Sequence, residues 1–213
     1  IMLDKIKLSR DLAFMVGTSI LLYMIMLDGY VGRLDGIVLI AVLASHLWLS
    51  LRNRSVESNL LSDSMPVHKA WALTAIGLFA LVLGANWLVS AAVTIATAIG
   101  VSDAIIGLTI VAIGTSLPEL ATSVRAVAKG ETDIAVGNII GSNIFYIAGI
   151  LGITSLLSPL AVDSRFMSQD IVWVIATAVA LTAITYTVGK LARSAGFMLL
   201  GAYAVYVALM MVV

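Results

Sequence analysis

The chain has 213 residues, of which 61% are apolar and only 11% charged, and its mean hydropathy is +1.10. A soluble domain of this length carries about 25% charged residues to cover its surface, so the composition excludes one. Zero net charge without a basic stripe gives no reason to expect nucleic acid as a partner, and zero cysteine excludes disulfides, thiolate metal sites and thiol catalysis.

The apolar residues fall into blocks of roughly 16 to 25, the length that crosses a ~30 Å hydrocarbon core as a helix. They predict an all-α integral membrane protein of about seven transmembrane helices, at 12–28, 36–51, 70–90, 104–126, 134–158, 170–187 and 196–213. Ahead of the first helix, Ile1-Met2-Leu3-Asp4-Lys5 has neither an initiator methionine nor the layout of a signal peptide, and reads as a chain entered partway. Residues 52–69 form a polar linker, Arg52-Asn53-Arg54-Ser55 through Asp63-Ser64-Met65-Pro66. Short loops are expected at about 125–133 and 188–195.

Lysine and arginine counts in alternate loops set the expected orientation. One side holds Lys5, Lys7, Arg10, Arg52, Arg54, Lys69, Arg125, Lys129, Lys190 and Arg193; the other holds Arg33 and Arg165 alone. The rich side, with loops 52–69, 125–133 and 188–195, is expected to be cytoplasmic and the C-terminus outside. Trp48, Trp71, Trp87 and Trp173 all fall near predicted helix ends, where amphipathic rings prefer the interface.

An internal repeat organises the chain. Arg10-Asp11-Leu12, an apolar helix, Gly32-Arg33-Leu34 and Gly36 are echoed by Gln169-Asp170-Ile171, an apolar helix, Gly189-Lys190-Leu191 and Gly196, at an offset of about 160. One unit of five helices then runs over 70–213. Residues 1–51 hold the last two helices of an earlier unit, and three more, roughly 90 residues, are expected upstream of Ile1. An odd helix count per unit places the two units in opposite orientations, the inverted-repeat plan of many secondary transporters.

The chemistry concentrates in 104–158. Its first helix carries Gly107-Leu108-Thr109-Ile110-Val111-Ala112-Ile113-Gly114-Thr115-Ser116-Leu117-Pro118-Glu119, and Glu119 is the one ionisable residue between Asp103 and Arg125. It lies about 10 Å from the predicted helix end at 1.5 Å per residue. A charge there costs at least about 2.5 kcal/mol on insertion scales, so it needs protein, water or a cation beside it. A helix-end glutamate snorkelling to the interface is the competing reading, although its side chain reaches less far than that of lysine. Pro118 removes a backbone donor and presses on the Gly114 carbonyl, so the helix should loosen there. Ala112, Thr115, Ser116 and Glu119 share a face by their spacing. The face offers a carboxylate, two hydroxyls and loosened carbonyls, oxygen ligands that suit Na⁺ or Ca²⁺.

The second helix carries Gly137-Asn138-Ile139-Ile140-Gly141-Ser142-Asn143-Ile144-Phe145-Tyr146, in which Asn138, Ser142 and Tyr146 recur every four residues. Counted from a short turn near Lys129-Gly130, the two polar faces fall at similar depth. Gly137 and Gly141 form a small-xxx-small pair that would let the helices approach closely; packing alone also accounts for these glycines, but not for Glu119.

The sequences over 107–119 and 137–145 resemble the second α-repeat of the Ca²⁺/cation antiporter superfamily, above all its bacterial and archaeal Na⁺/Ca²⁺ exchangers, and the resemblance runs from Asp11 to the C-terminus. It implies the C-terminal part of a ten-helix fold of two inverted halves, with an α-repeat from each lining the ion sites. It implies ligand roles for the Ala112 carbonyl, Thr115, Ser116, Glu119 and Ser142, with Asn138, Asn143 and Tyr146 as secondary candidates. Two features depart from the family. The first α-repeat, which should supply a partner glutamate, is absent, so the first-half helices are a required partner. Position 146, usually asparagine or aspartate, is Tyr146, which either offers a larger neutral oxygen or points away and packs.

The function expected is therefore secondary antiport of Na⁺ against Ca²⁺ across the cytoplasmic membrane by alternating access. Both ions are cargo, and no cofactor is needed. Coupling to H⁺ or K⁺, or a non-transporting membrane fragment, are the alternatives. An intramembrane enzyme would need a nucleophile with a base, or a metal-activated water. His46, near a helix end beside Trp48, and His68, in the linker, read as interfacial or solvated, while Asp11 and Asp170 open helices, where capping accounts for them.

Overall fold

The computed structural model describes residues 5–52, 66–101, 106–188 and 193–212. Residues 53–65 of the expected linker, Asp103, and 189–192 of the last loop, including Gly189-Lys190-Leu191, lie outside the described residues. The described residues are helical but for one ribbon of two two-residue strands and the connecting turns. Among the described residues five helices are long and apolar enough to cross a membrane: Leu8–Asp28, Arg33–Arg52, Val67–Ala98, Thr132–Leu157 and Phe166–Thr187. The bent pair Thr109–Thr115 and Leu117–Ala128 makes a sixth if taken as one span, and Arg193–Leu209 is a shorter apolar helix. Each of the seven predicted segments thus has a helical counterpart, and five or six meet the length of a crossing. The chain is a multi-pass membrane protein.

Contacts gather the chain into two compact units, one spanning Ile1–Arg54 and Gly130–Tyr206, the other Ser55–Lys129 and Val207–Val213. The first unit opens with α1 (Lys5–Ile25), a 3₁₀ turn over Met26–Asp28 and strand β1 (Tyr30–Val31). The turn ends at Gly29, whose φ of 79° is left-handed and open only to a residue without Cβ, and whose N–H donates to the Met26 carbonyl at 2.9 Å. Helix α2 (Arg33–Arg52) starts with Asp35 reaching back to accept the Gly32 N–H at 2.8 Å, the acidic half of a capping box. The unit continues with α6 (Thr132–Ile144), a π-helical segment Phe145–Leu151, α7 (Gly152–Leu157), β2 (Leu160–Ala161), a second π segment Phe166–Asp170 and α8 (Ile171–Val188). Strands β1 and β2 pair antiparallel, Tyr30 with Ala161 and Val31 with Leu160.

Two apolar clusters make α1 the centre of this unit. Leu12 and Met15 pack with Val136, Ile140, Ile144 and Ala148 of α6 and its π extension, and with Ala178 and Leu181 of α8. Further along α1, Leu22 and Met26 pack with Ile147 and Leu151, and with Ile171 and Val174. Contacts on α8 run backwards as α1 runs forwards, so α1 and α8 are antiparallel, whereas α6 runs parallel to α1. Helices α2 and α7 also cross closely, with Gly36 against Ser155 and Gly152, and Gly152 against Leu39 and Ile40.

Buried hydroxyls in this unit are satisfied by their own helices. Thr18 donates to the Phe14 carbonyl at 2.6 Å, Ser19 to Met15 at 2.9 Å, Ser155 to Gly152 at 3.0 Å and Thr185 to Leu181 at 2.7 Å. His46 differs. It is only 9% exposed, its ring stands 5.0 Å from that of Phe14, and its Nδ1 is buried without a hydrogen-bond partner among the described residues. The expectation of an interfacial or solvated histidine is corrected: His46 shares the inner face of α2 with Gly36 and Leu39. A buried polar atom left unmet costs about 1–3 kcal/mol. His46→Leu is therefore expected to hold or raise thermal stability, by up to about 1 kcal/mol, in detergent unfolding. A clear loss would show that the imidazole makes a bond worth keeping.

In the second unit, α3 (Val67–Ala98) is 32 residues long, well beyond the predicted 70–90. No proline interrupts it and Gly77 and Gly84 stay helical; it ends at Gly100, whose φ of 82° closes a Schellman turn with Val101 N–H on Ala96 O and Gly100 N–H on Thr97 O, both 3.0 Å. Trp87 therefore lies inside a helix rather than near its end. A π turn over Gly107–Val111, α4 (Ala112–Thr115) and α5 (Leu117–Ala128) follow in this unit and pack on α3. Helix α9 (Arg193–Val212) ends the described chain.

Candidate functional site

In the 106–128 segment, the break expected at Pro118 is present. Helix α4 ends at Thr115, Ser116 adopts φ −93° and ψ 2°, and α5 leaves at 49° with Pro118 in its first turn, where a missing N–H does no harm. The backbone bonding changes with it. Ser116 N–H donates to the Ile113 carbonyl at 3.1 Å instead of to Ala112, its α-helical partner. The Ala112 carbonyl accepts the Thr115 hydroxyl at 3.0 Å. A hydroxyl whose proton is committed to a carbonyl presents lone pairs elsewhere, so Thr115 Oγ1 is set up as an acceptor. Ala112, Thr115 and Ser116 are exposed within the chain. Glu119, in the first turn of α5, is half-buried, and its Oε2 is shut off from solvent. The positive end of the α5 dipole favours a carboxylate there. The structure thus brings the Ala112 carbonyl and Thr115 into contact, places Ser116 at the adjoining break and sets Glu119 in the turn beyond it.

In the first unit, Ser142 Oγ and Asn143 Nδ2 both donate to the Ile139 carbonyl, at 3.1 and 2.8 Å. Ser142 repeats the Thr115 arrangement: proton inward, lone pairs free. Asn143, with its amide nitrogen turned to its own helix, keeps its side-chain oxygen as an acceptor. Asn138 is half-buried. Tyr146 is 39% exposed and is the second residue of the π segment Phe145–Leu151. The four-residue repeat Asn138–Ser142–Tyr146 therefore runs out of α-helix at its last member. A Cβ built on Gly137 or Gly141 would meet nothing within 4 Å. Within its own unit, α6 packs on α1 through a different face, that of Val136, Ile140 and Ile144.

Two features escaped sequence reasoning. A π-helical stretch borders each polar motif, Gly107–Val111 before Ala112 and Phe145–Leu151 after Ser142, and such stretches recur at functional sites. Nothing in residue type distinguishes a π turn from an α turn, so only the backbone reveals it. The capping roles expected of Asp11 and Asp170 are also corrected. Asp11 is the seventh residue of α1 and pairs with Arg10 at 2.9 Å, and Asp170 accepts a hydrogen bond from Tyr206 at 3.2 Å. Among the described residues no group of three His, Cys, Asp or Glu stands close enough to hold a metal by itself.

A family model described as sodium/calcium exchanger protein matches residues 69–212. The inner membrane protein YrbG of Escherichia coli is 32% identical over 95% of this chain and 66% of its own length. CaxA of Alkalimonas amylolytica, named as a candidate antiporter, is 34% identical over 87% of this chain and 61% of its own length. The solved structure of the sodium/calcium exchanger from Methanococcus jannaschii superposes with a TM-score of 0.80 at 30% identity, covering 98% of this chain and 66% of that one. The chain thus spans about two thirds or less of the proteins it matches.

Proposed function

The chain belongs to the sodium/calcium exchanger family, a family of transporters rather than enzymes, and from that premise we propose that it carries one half of the cation site of a Na⁺/Ca²⁺ antiporter of the cytoplasmic membrane. Glu119 supplies the carboxylate. Thr115, Ser116, the Ala112 carbonyl and Ser142 supply neutral oxygens, and Asn138, Asn143 and Tyr146 stand at the margin. The observation that carries this reading is the helix break at Ser116, which takes the Ala112 carbonyl out of α-helical bonding and gives it the Thr115 hydroxyl, shortly before a half-buried carboxylate. Irregular backbone at membrane depth is tolerated where it lines a cavity, and oxygen-only donors select hard cations.

In this reading 112–119 and 138–146 each contribute oxygens to the cation site, and helices of a first half complete it. Calcium takes six to eight oxygens, and one carboxylate leaves it short of anionic ligands. The antiparallel setting of α1 and α8, which the sequence repeat pairs, supports two inverted halves. Seven crossings, with loops 52–69, 125–133 and 188–195 in the cytoplasm and the C-terminus outside, follow from the charge distribution. Transport then proceeds by alternating access, in which Na⁺ and Ca²⁺ compete for the same oxygens and the downhill flux of one drives the other.

The test is Ca²⁺ uptake into Na⁺-loaded liposomes diluted into Na⁺-free buffer, with this chain reconstituted together with the first-half helices that its relatives carry. Uptake is expected to require internal Na⁺, and Glu119→Gln is expected to reduce it to the level of protein-free liposomes. Uptake indifferent to Na⁺ in folded protein would overturn the sodium coupling, and uptake indifferent to Glu119→Gln would overturn the site.

A further inference from the structure

The two ends of the antiparallel α1–α8 pair carry the same kind of fastening, made from unlike residues. At the start of α1, Asp11 Oδ1 accepts from Arg10 Nε at 3.0 Å and from Nη2 at 2.9 Å. The same guanidinium reaches across to α2, donating to the Leu49 carbonyl at 3.1 Å and to Ser50 Oγ at 3.2 Å, within the last turn of that helix. At the other end, Asp170 Oδ1, immediately before α8, accepts from the Tyr206 hydroxyl at 3.2 Å, and Tyr206 lies in the last two turns of α9. Trp173 holds the same phenol ring, with ring centres 5.7 Å apart. The repeat offset of about 160 carries Asp11 to Asp170, and Ser50 to within about a turn of Tyr206. Where the first copy has Arg10, the second has Gln169, so no cation bridges and the acid is met by the phenol directly.

We propose that these are two matched clasps, one at each membrane face, each tying the last helix of its repeat to the helix before it. A carboxylate at the rim of a membrane needs a donor: Asp170 meets it on the neighbouring helix, whereas Asp11 meets it in Arg10, whose remaining N–H groups reach acceptors at the end of α2. Apolar fit sets how these helices pack but carries no direction. A directional bond at each clasp adds a fastening that breaks as a unit. Since the clasps stand at opposite ends of one antiparallel pair, opening one frees the terminal helix at that face and leaves the other face closed.

Amide hydrogen exchange on the protein in lipid nanodiscs tests this without reference to the ion carried. Tyr206→Phe keeps the ring on Trp173 and removes only the hydroxyl. Exchange around Tyr203–Tyr206 is expected to speed by roughly tenfold, the loss of one hydrogen bond to a charged acceptor, while exchange around Leu47–Ser50 stays within twofold. Arg10→Met, which keeps the apolar stem, is expected to give the reverse pattern, and Arg10→Gln, too short to span the same acceptors, serves if that variant fails to fold. Equal acceleration at both ends in either variant, or no acceleration around Tyr203–Tyr206 in Tyr206→Phe, would overturn the proposal.

Discussion

Gly36→Ala is expected to lower the thermal unfolding midpoint by on the order of 5–10 °C, a loss of about 3 kcal/mol and the upper end of what an overpacked interior gives up. A Cβ at residue 36 would lie 2.6 Å from Ser155 Oγ, 2.7 Å from the Gly152 carbonyl oxygen and 3.0 Å from Leu156 Cγ. One of these neighbours is backbone and cannot rotate aside. Helix α2 must move off α7, and with it the reciprocal contacts of Gly152 with Leu39 and Ile40. Membrane helices associate through close van der Waals fit, without a hydrophobic drive to hold a loosened pair together, so the lost fit is not recovered elsewhere. Ser155→Ala in the same chain removes the hydroxyl and leaves the Gly152 carbonyl in place, so it is expected to restore less than half of the loss. Thermal unfolding in detergent reads both variants, and an unchanged midpoint for Gly36→Ala would mean that α2 and α7 separate freely.

The second large effect is expected at Gly114, in the helix that carries the candidate ligands. A Cβ there would overlap Val89 Cγ2 and come within 3.3 Å of Val89 Cβ. Valine in a helix strongly prefers one χ1 rotamer, so swinging Cγ2 aside costs energy and still leaves Val89 Cβ 3.3 Å away. Gly114→Ala is therefore expected to push α4 away from α3, costing about 1–3 kcal/mol and displacing the Ala112–Thr115 pair. Here the obstacle is a side chain alone, so Gly114→Ala with Val89→Ala is expected to recover most of the stability. That recovery separates the two glycines: removing one side chain relieves Gly114, whereas no side-chain change clears the backbone facing Gly36. If Gly114→Ala unfolds at the parent temperature, α3 is held too loosely for this contact to position the site.

The residues of the candidate site were legible because their chemistry conflicts with their surroundings. A glutamate inside an apolar block, with hydroxyls at helical spacing and a proline beside it, has no structural economy in a membrane, and the break at Ser116 appears where Pro118 placed it. The same reasoning placed Trp87 near a helix end and His46 near water, and both placements failed for one reason. Each rested on local sequence around the residue, while α3 continues to Gly100 and α2 turns His46 toward Phe14. Asp11 and Asp170 were read as caps for want of a visible partner; their partners, Arg10 with the end of α2 and Tyr206 on α9, emerge only when helices are set side by side.

By itself the sequence determined that this chain is a bundle of membrane helices, that it belongs with the cation exchangers, and where one helix must break, because apolar length, a long motif and proline chemistry are local properties. Which face of each helix packs, which glycines are pressed and which lie open, where π turns fall and what the ends of α1 and α8 hold were decided only by the tertiary structure. In a soluble helix, polar residues mark the outer face and betray the inner one. In a membrane both faces are apolar, so the periodicity that would reveal packing is erased, and close fit between particular side chains selects the arrangement instead.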